Sequence, residues 1–506
     1  MPNDELSSAE HAQEFRVRAD IQPDLPGLPK RPTTPTKAKR IRENVEPRLA
    51  RDALLKRFEK KLVINTELSR ALVSFQANKA TPLYRWFKYK EAFSAEFVRY
   101  VLQRYRPDGQ RKPRVLDPFA GAGTTLSKGA VEGWVGTGIE LLPPGLAAIA
   151  ARRAAARVDV RAFETALTGA RKTDFAKLNG ATYFFPHVRI TKDAFSAETE
   201  RALAGFRTYV ANIADADVQE LFSFAALCVL EDVSYTRKDG QYLRWDSRSP
   251  RELKSQFNKG TIHPFRDAIL QRLDMMRDDI SQREAVDGHA EFDVRRGSCL
   301  DIMPTLRANQ FDLVLTSPPY CNRYDYTRTY ALELAYLGSG EKEISTLRQT
   351  LLSATVENKT KRAQLGLMYS KPKHRGFFEQ MEVAFESQAA LHEVLGKLKA
   401  ARDRKELNNP NIPVMIENYF FEMNVLIHEM ARTLRSGGRV VMVNDNVQYH
   451  GEEVPVDLIL SDFAECAGLT TDAIWVLERG KGNSSQQMGA HGRNEIRKCV
   501  YVWRKP

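Results

Sequence analysis

Apolar positions along this chain fall into short, nearly continuous runs separated by longer amphipathic stretches. Runs at 115–117, 134–140, 311–315, 439–443, 473–477 and 499–503 are too short for helices and read as buried strands, with a weaker strand-like run at 290–294. Between them lie helical patterns. Pro143-Pro144 opens a helix of small residues at 146–156, and a helix at 415–434 stops at Ser436-Gly437-Gly438. Helical periodicity also covers 53–105, broken at Thr81-Pro82, and long charged helices cover 340–408. Strands alternating with helices predict an α/β fold with a mostly parallel sheet.

The pattern also divides the chain. Residues 1–48 are polar, with Pro23, Pro26, Pro29, Pro32 and Pro35 followed by Lys37-Ala38-Lys39-Arg40, and read as a disordered basic arm. A helical segment at 49–107 precedes a first core part at 108–157. Residues 158–287 are too many for a connection and read as an inserted domain. Core segments at 288–338 and 412–506 flank a helical insertion at 339–411.

Composition narrows the class. The 506 residues carry a net charge of +12 and 42% hydrophobic residues, which suits a buried core and a polyanionic partner. Five cysteines, at 228, 299, 321, 466 and 499, are scattered singly, so their spacing reads as neither a metal site nor a disulfide framework. No apolar run is long enough to span a membrane, and the N-terminus lacks a secretory pattern, so a cytoplasmic protein with no membrane partner is expected.

Two motifs carry the chemistry. The run Val115-Leu116-Asp117-Pro118-Phe119-Ala120-Gly121-Ala122-Gly123-Thr124 is a strand entering a small-residue turn before a helix starting near Thr124. Gly121 and Gly123 allow close backbone approach to a ligand. Leu126 stands where a dinucleotide loop needs glycine, and no Gly-Lys-Ser/Thr follows, so the loop suits a nucleoside without phosphates. A second strand ends at Glu140, placed to accept ribose hydroxyls. The second motif, Leu315-Thr316-Ser317-Pro318-Pro319-Tyr320, ends a strand in a rigid turn with a hydroxyl and an aromatic face, the equipment for holding a planar amino group.

Together these stretches resemble the S-adenosylmethionine-dependent amino-methyltransferases of DNA. The resemblance implies a Rossmann-like class I methyltransferase sheet with a C-terminal antiparallel hairpin, formed here by 473–477 and 499–503. It implies cofactor contacts from Asp117, Pro118, Phe119, Ala120, Gly121, Gly123, Thr124, Glu140, Ser298, Cys299 and Thr316, and catalysis by Ser317, Pro318, Pro319 and Tyr320. An acid is common where Ser298 stands, and Asp301 is the nearby substitute to consider. The block at 73–94 occupies the place of a helix that closes over the methionine end of the cofactor. The Thr-Ser-Pro-Pro-Tyr form points to cytosine N4, with adenine N6 as the alternative.

In the insertion, cations interleave with aromatics, and Arg237, Lys238, Tyr242, Arg244, Trp245 and Arg248, with Arg323 and Tyr324 after the catalytic motif, are the expected contacts to double-stranded DNA. An RNA base methyltransferase and an inactive DNA-binding scaffold are the competing readings. The intact motif residues argue against the second. The resemblance leaves room for a cognate restriction or defence-system partner and leaves the oligomeric state open.

Overall fold

The computed structural model describes residues 48–506 except 110, 179–184, 241, 253–255, 284–291 and 479–495, so the basic arm lies outside it save for Arg48. In chain order the strands are β1 (Leu62–Ile64), β2 (Arg114–Asp117), β3 (Val135–Glu140), β4 (Thr236–Asp239), β5 (Tyr242–Trp245), β6 (Phe292–Arg296), β7 (Phe311–Thr316), β8 (Leu434–Asp445), β9 (Val447–Tyr449), β10 (Glu452–Val454), β11 (Thr470–Val476) and β12 (Lys498–Arg504). Eight of them form one sheet in the order β1-β11-β12-β8-β7-β2-β3-β6. Only β12 runs antiparallel to its neighbours, β11 and β8; every other pair is parallel. This is the Rossmann-like α/β sheet with a C-terminal antiparallel hairpin.

The apolar runs are strands because both of their faces are covered. Successive side chains point to opposite sides. Leu313 and Leu315 join Val441, Val443, Val500 and Val502 against the helix Ala95–Arg104, while Val314 joins Val440, Met442, Tyr501 and Trp503 against the helices Ile412–Thr433 and Val456–Cys466. The helix Ala95–Arg104 starts where Ser94 accepts the amide of Phe97 at 3.0 Å, an N-cap that satisfies an otherwise orphaned donor.

Residues 158–287 pack into the core. Their helices, Val160–Lys172, Ala197–Ala211, Ala216–Val233 and Phe265–Ser281, enclose Phe163, Phe206 and Phe222 in a cluster continuous with Ala148, Ala151 and Ala154 of the helix Pro143–Arg157. Alanines there permit the close approach, and residues 48–506 form one compact unit.

Three local expectations change. The periodicity at 53–105 yields α-helices only at Leu49–Phe58 and Ala95–Arg104, with β1, 3-10 turns and irregular backbone between. The helix ends at Thr433, and Gly437, at φ +77°, lies inside β8 where its register against β7 shifts. The strand placed at 290–294 runs at Phe292–Arg296.

Candidate active site

From β2 the chain proceeds to β3 and β6 on one side, and from β7 to β8 on the other. The connections leaving the carboxyl ends of β2 and β7 therefore run to opposite sides, and such a switch point leaves a crevice. A cleft of about 740 Å³ opens there, bordered by Asp117, Gly121, Glu140, Ser298, Ser317 and Pro319 among others.

The loop after β2 is shaped by two left-handed glycines, Gly121 at φ +51° and Gly123 at φ +75°, which turn the chain into the helix Thr124–Val131. A Cβ on Gly123 would lie 2.6 Å from Ile149 Cγ1, so only glycine fits. Asp117 holds the loop's base. Its Oδ2 accepts from Thr125 Oγ1 at 2.7 Å, and its Oδ1 accepts from Thr316 Oγ1 at 2.7 Å and from the Phe119 amide at 3.1 Å. Burial raises its pKa to about 6 against these hydrogen bonds. Thr316 is thus a buried brace, not part of the cleft wall.

Glu140 sits at the end of β3 with its carboxylate on the cleft. Its Oε1 accepts from the amides of Leu141 at 2.9 Å and Leu142 at 2.6 Å. Burial pushes its pKa up to about 7, opposed by the amides of Leu142, Gly121 and Leu141. Pro118, Phe119, Ala120, Thr124 and Cys299 also border the cleft, whereas Asp301 borders a separate cavity beside Ser345 and Thr346. Ser298 caps the short helix that follows it, accepting from the Leu300 amide at 3.3 Å.

The Ser317–Tyr320 turn is pinned at both ends. Ser317 Oγ donates to the Val443 carbonyl at 3.2 Å and lies 3.4 Å from the Tyr320 hydroxyl, and the Tyr449 hydroxyl donates to the Cys321 carbonyl at 2.7 Å. Ser317 and Pro319 reach the cleft; Pro318 is buried behind them, and Tyr320 is half-buried outside it. Burial raises the pKa of Tyr320 and keeps its hydroxyl protonated.

Among the lining residues not singled out in the sequence analysis are Tyr89, Glu91, Phe93 and Tyr326. The first three lie in the aromatic-basic block, which is irregular backbone and not a closing helix. Glu91 accepts from the Tyr330 hydroxyl, and Tyr89 stacks on Tyr330 at 5.0 Å. The charged groups on the cleft wall are Glu91, Asp117 and Glu140, all acids, with no Lys, Arg or His among the described lining residues. Such a wall suits a cationic ligand.

The predicted DNA contacts divide. Arg237 and Arg244 are exposed on the β4–β5 hairpin, with Arg244 over the Phe257 ring at 4.0 Å. Lys238 is instead buried, paired with Glu333 and held 4.4 Å over the Tyr330 ring, so its charge is spent inside the core. Arg248 grips the buried Asp246 at 2.7 Å and the Gly260 carbonyl at 2.6 Å, holding Asp246 well below the usual carboxylate range. Arg251 covers Trp245 at 3.8 Å. Arg323, at φ +66°, donates to Asn408, and Tyr324 turns a buried hydroxyl inward with its ring edge-on to Tyr326. The Tyr242 side chain lies outside the described residues.

No helix among the described residues is long and apolar enough to cross a membrane. No protein-family profile and no solved structure matches the chain. It is 44% identical over 464 residues to the Type II methyltransferase M.AvaI of a Nostoc species and to that of Anabaena variabilis, covering 90% of this chain and 93% of each relative. It is 37% identical over 468 residues to the Type II methyltransferase M.BsoBI of Geobacillus stearothermophilus, covering 88% of this chain and 90% of that one. Similarity of this extent, spanning both the glycine loop and the Ser317 turn, makes the chain a member of the Type II methyltransferase family.

Proposed function

We propose that the cleft binds S-adenosylmethionine and that the turn at 317–320 presents the exocyclic N4 of a cytosine in DNA for methylation. The observation that carries this reading is the meeting of Glu140, the Gly121 loop and Ser317 on one cleft whose charged lining is wholly acidic. That donor set fits the group. A carboxylate at Glu140 can accept both ribose hydroxyls, glycine at 121 permits close approach, and acids oppose a sulfonium charge. When bound, S-adenosylmethionine supplies an electrophilic methyl group.

The protein's own part is to hold an amino nitrogen whose lone pair is otherwise delocalised into its ring. Ser317 has one hydroxyl proton, and the Val443 carbonyl takes it. The oxygen is left as an acceptor, so it can draw on an amino N–H and localise the nitrogen lone pair. The pinned turn fixes that acceptor before the base arrives. Alignment of this kind can supply on the order of 7–11 kcal/mol of the barrier. An extruded base would meet Tyr320 or Tyr326 as its stacking face.

Target DNA is assigned to the side of the β4–β5 hairpin, where Arg237 and Arg244 are exposed. A cytoplasmic restriction-modification role, with a cognate nuclease as partner, follows from the same reading. The test is transfer of labelled methyl from S-adenosylmethionine to unmethylated DNA, followed by nucleoside mass spectrometry. N4-methylcytosine supports the assignment; N6-methyladenine keeps the mechanism and overturns the base; label on RNA alone overturns the substrate. Ser317→Ala should lower turnover far more than cofactor affinity, and unchanged turnover removes Ser317 from the mechanism.

A further inference from the structure

The irregular segment at 87–91 has two faces. Tyr89 and Glu91 border the cofactor cleft, while Lys88 and Lys90 border a second groove of about 1070 Å³ on the other side. Its remaining walls come from the 3-10 turn Phe75–Lys79 and from the β4–β5 hairpin, whose Arg237 and Arg244 face Lys79 and Lys88 across it. Five cations with solvent access, Lys79, Lys88, Lys90, Arg237 and Arg244, stand against a single carboxylate, Asp239. Lys238 also borders the groove, but its amino group is committed to Glu333 in the core.

These cations are poorly neutralised by the protein itself. No acid lies within ion-pair distance of Lys79 or Arg237 among the described residues. Arg244 and Asp239 pair at 3.2 Å with both side chains half exposed, and Lys88 meets Glu231 at 3.3 Å with its own side chain half exposed. Exposed pairs of this kind contribute about 0–1 kcal/mol, so a stronger anion displaces them readily. Lys90 donates to the Lys238 carbonyl, which ties the segment to the hairpin and fixes the groove's width. Burial, with Lys88 and Lys238 nearby and against the opposing pull of Glu231 and Glu91, lowers the Lys90 pKa. Phe75 and Phe257 supply apolar walls between the charges.

We propose that this groove, formed jointly by the 75–90 segment and the hairpin, holds the sugar-phosphate backbone of the target DNA. The lysines at 79, 88 and 90 thereby join the hairpin arginines as phosphate contacts. The inference rests on the methyl-transfer reading for the identity of the polyanion. It places the phosphate-binding surface on the same short segment that walls the cofactor cleft.

The test uses the full chain and a fluorescent DNA duplex, with binding followed by anisotropy between about 50 and 200 mM salt. Each phosphate contact adds about 0.9 to the slope of log affinity against log salt. Lys79→Gln with Lys88→Gln should therefore lower the slope by about 2, and Arg237→Gln alone by about 1. The arginine pair Lys79→Arg with Lys88→Arg should restore it. Calorimetry with S-adenosylhomocysteine on each variant confirms an intact cofactor cleft. A slope in both glutamine variants equal to that of the unaltered chain overturns the groove while leaving the methyl-transfer reading untouched. Failure of the unaltered chain to methylate DNA, read separately by mass spectrometry, overturns that reading instead.

Discussion

Thr316, at the carboxyl end of β7, donates its hydroxyl to Asp117, at the carboxyl end of β2, at 2.7 Å. This one hydrogen bond ties the Ser317 turn to the glycine loop across the switch point of the sheet. Asp117 is fully engaged by Thr125, Thr316 and the Phe119 amide, so it acts by fixing two loops relative to each other. Thr316→Val keeps the shape and removes the donor from a buried carboxyl. Loss of about 1–3 kcal/mol of stability in urea is expected, with weaker cofactor binding. Thr316→Ser should retain both, and a valine variant as stable as the parent would show that the brace carries no energy.

The pKa of Glu140 predicts a pH dependence for cofactor binding. Burial raises it from 4.5 to about 7. Between those values the folded state holds more protons than the unfolded one, so this group's stabilisation is complete at low pH and lost as pH rises towards about 7. A ribose diol donates to the anion and favours it, so binding below about pH 7 must release a proton. Affinity for 5′-methylthioadenosine, which carries the ribose without the amino-acid tail, should rise up to about tenfold per pH unit to about pH 7 and then level off. Glu140→Gln should bind weakly at every pH. A flat profile in the unaltered protein would separate Glu140 from the ribose.

The sheet was legible because its evidence is local. β2, β3, β7 and β12 are covered on both faces, so each appears as a nearly continuous apolar run, and Asp117, Glu140 and Ser317, at or just past the ends of β2, β3 and β7, sit where the loops turn. β1 was not legible: it is three residues at the sheet edge, with Val63 and Ile64 exposed. The 80–94 segment has helical periodicity but is pulled out of it by Asp279, which accepts from the Leu83 amide at 2.8 Å, Trp86 Nε1 at 2.8 Å and Arg85. That partner lies almost two hundred positions away. Lys238 looked like every other cation of the hairpin for the same reason, since its acid arrives from the helix Ala331–Tyr336, almost a hundred positions on.

The Lys238–Glu333 pair is the most deeply buried ion pair that joins the hairpin to the core, with both side chains nearly inaccessible. Burial pushes the Glu333 carboxyl up, opposed by the charge and hydrogen bond of Lys238. Lys238→Met should destabilise the protein by about 3–5 kcal/mol by leaving the buried Glu333 carboxyl without its partner. The double variant Lys238→Met with Glu333→Leu should recover most of that loss, since an apolar pair has no desolvation penalty. A double-mutant cycle by urea denaturation measures the coupling, and simple additivity of the two changes would mean that the pair is not coupled.

Gly145 lies in the helix Pro143–Arg157, where alanine ordinarily stabilises by up to about 1 kcal/mol. Here a Cβ would stand 2.7 Å from the Gly121 carbonyl oxygen and 2.9 Å from Glu140 Cδ. Neither neighbour yields freely, because one is backbone in a left-handed turn and the other is held by two amides. Gly145→Ala should therefore shift the Glu140 carboxylate and the glycine loop together. Overpacking on that scale costs about 1–3 kcal/mol, read as roughly 5- to 150-fold weaker cofactor binding by calorimetry. Gly376→Ala is the control, since it lies in the helix Pro372–Glu386 with nothing within 4 Å of the added carbon. It should leave affinity unchanged and raise stability slightly. Equal cofactor affinity in the two variants would show that the helix carrying Gly145 does not set the position of Glu140.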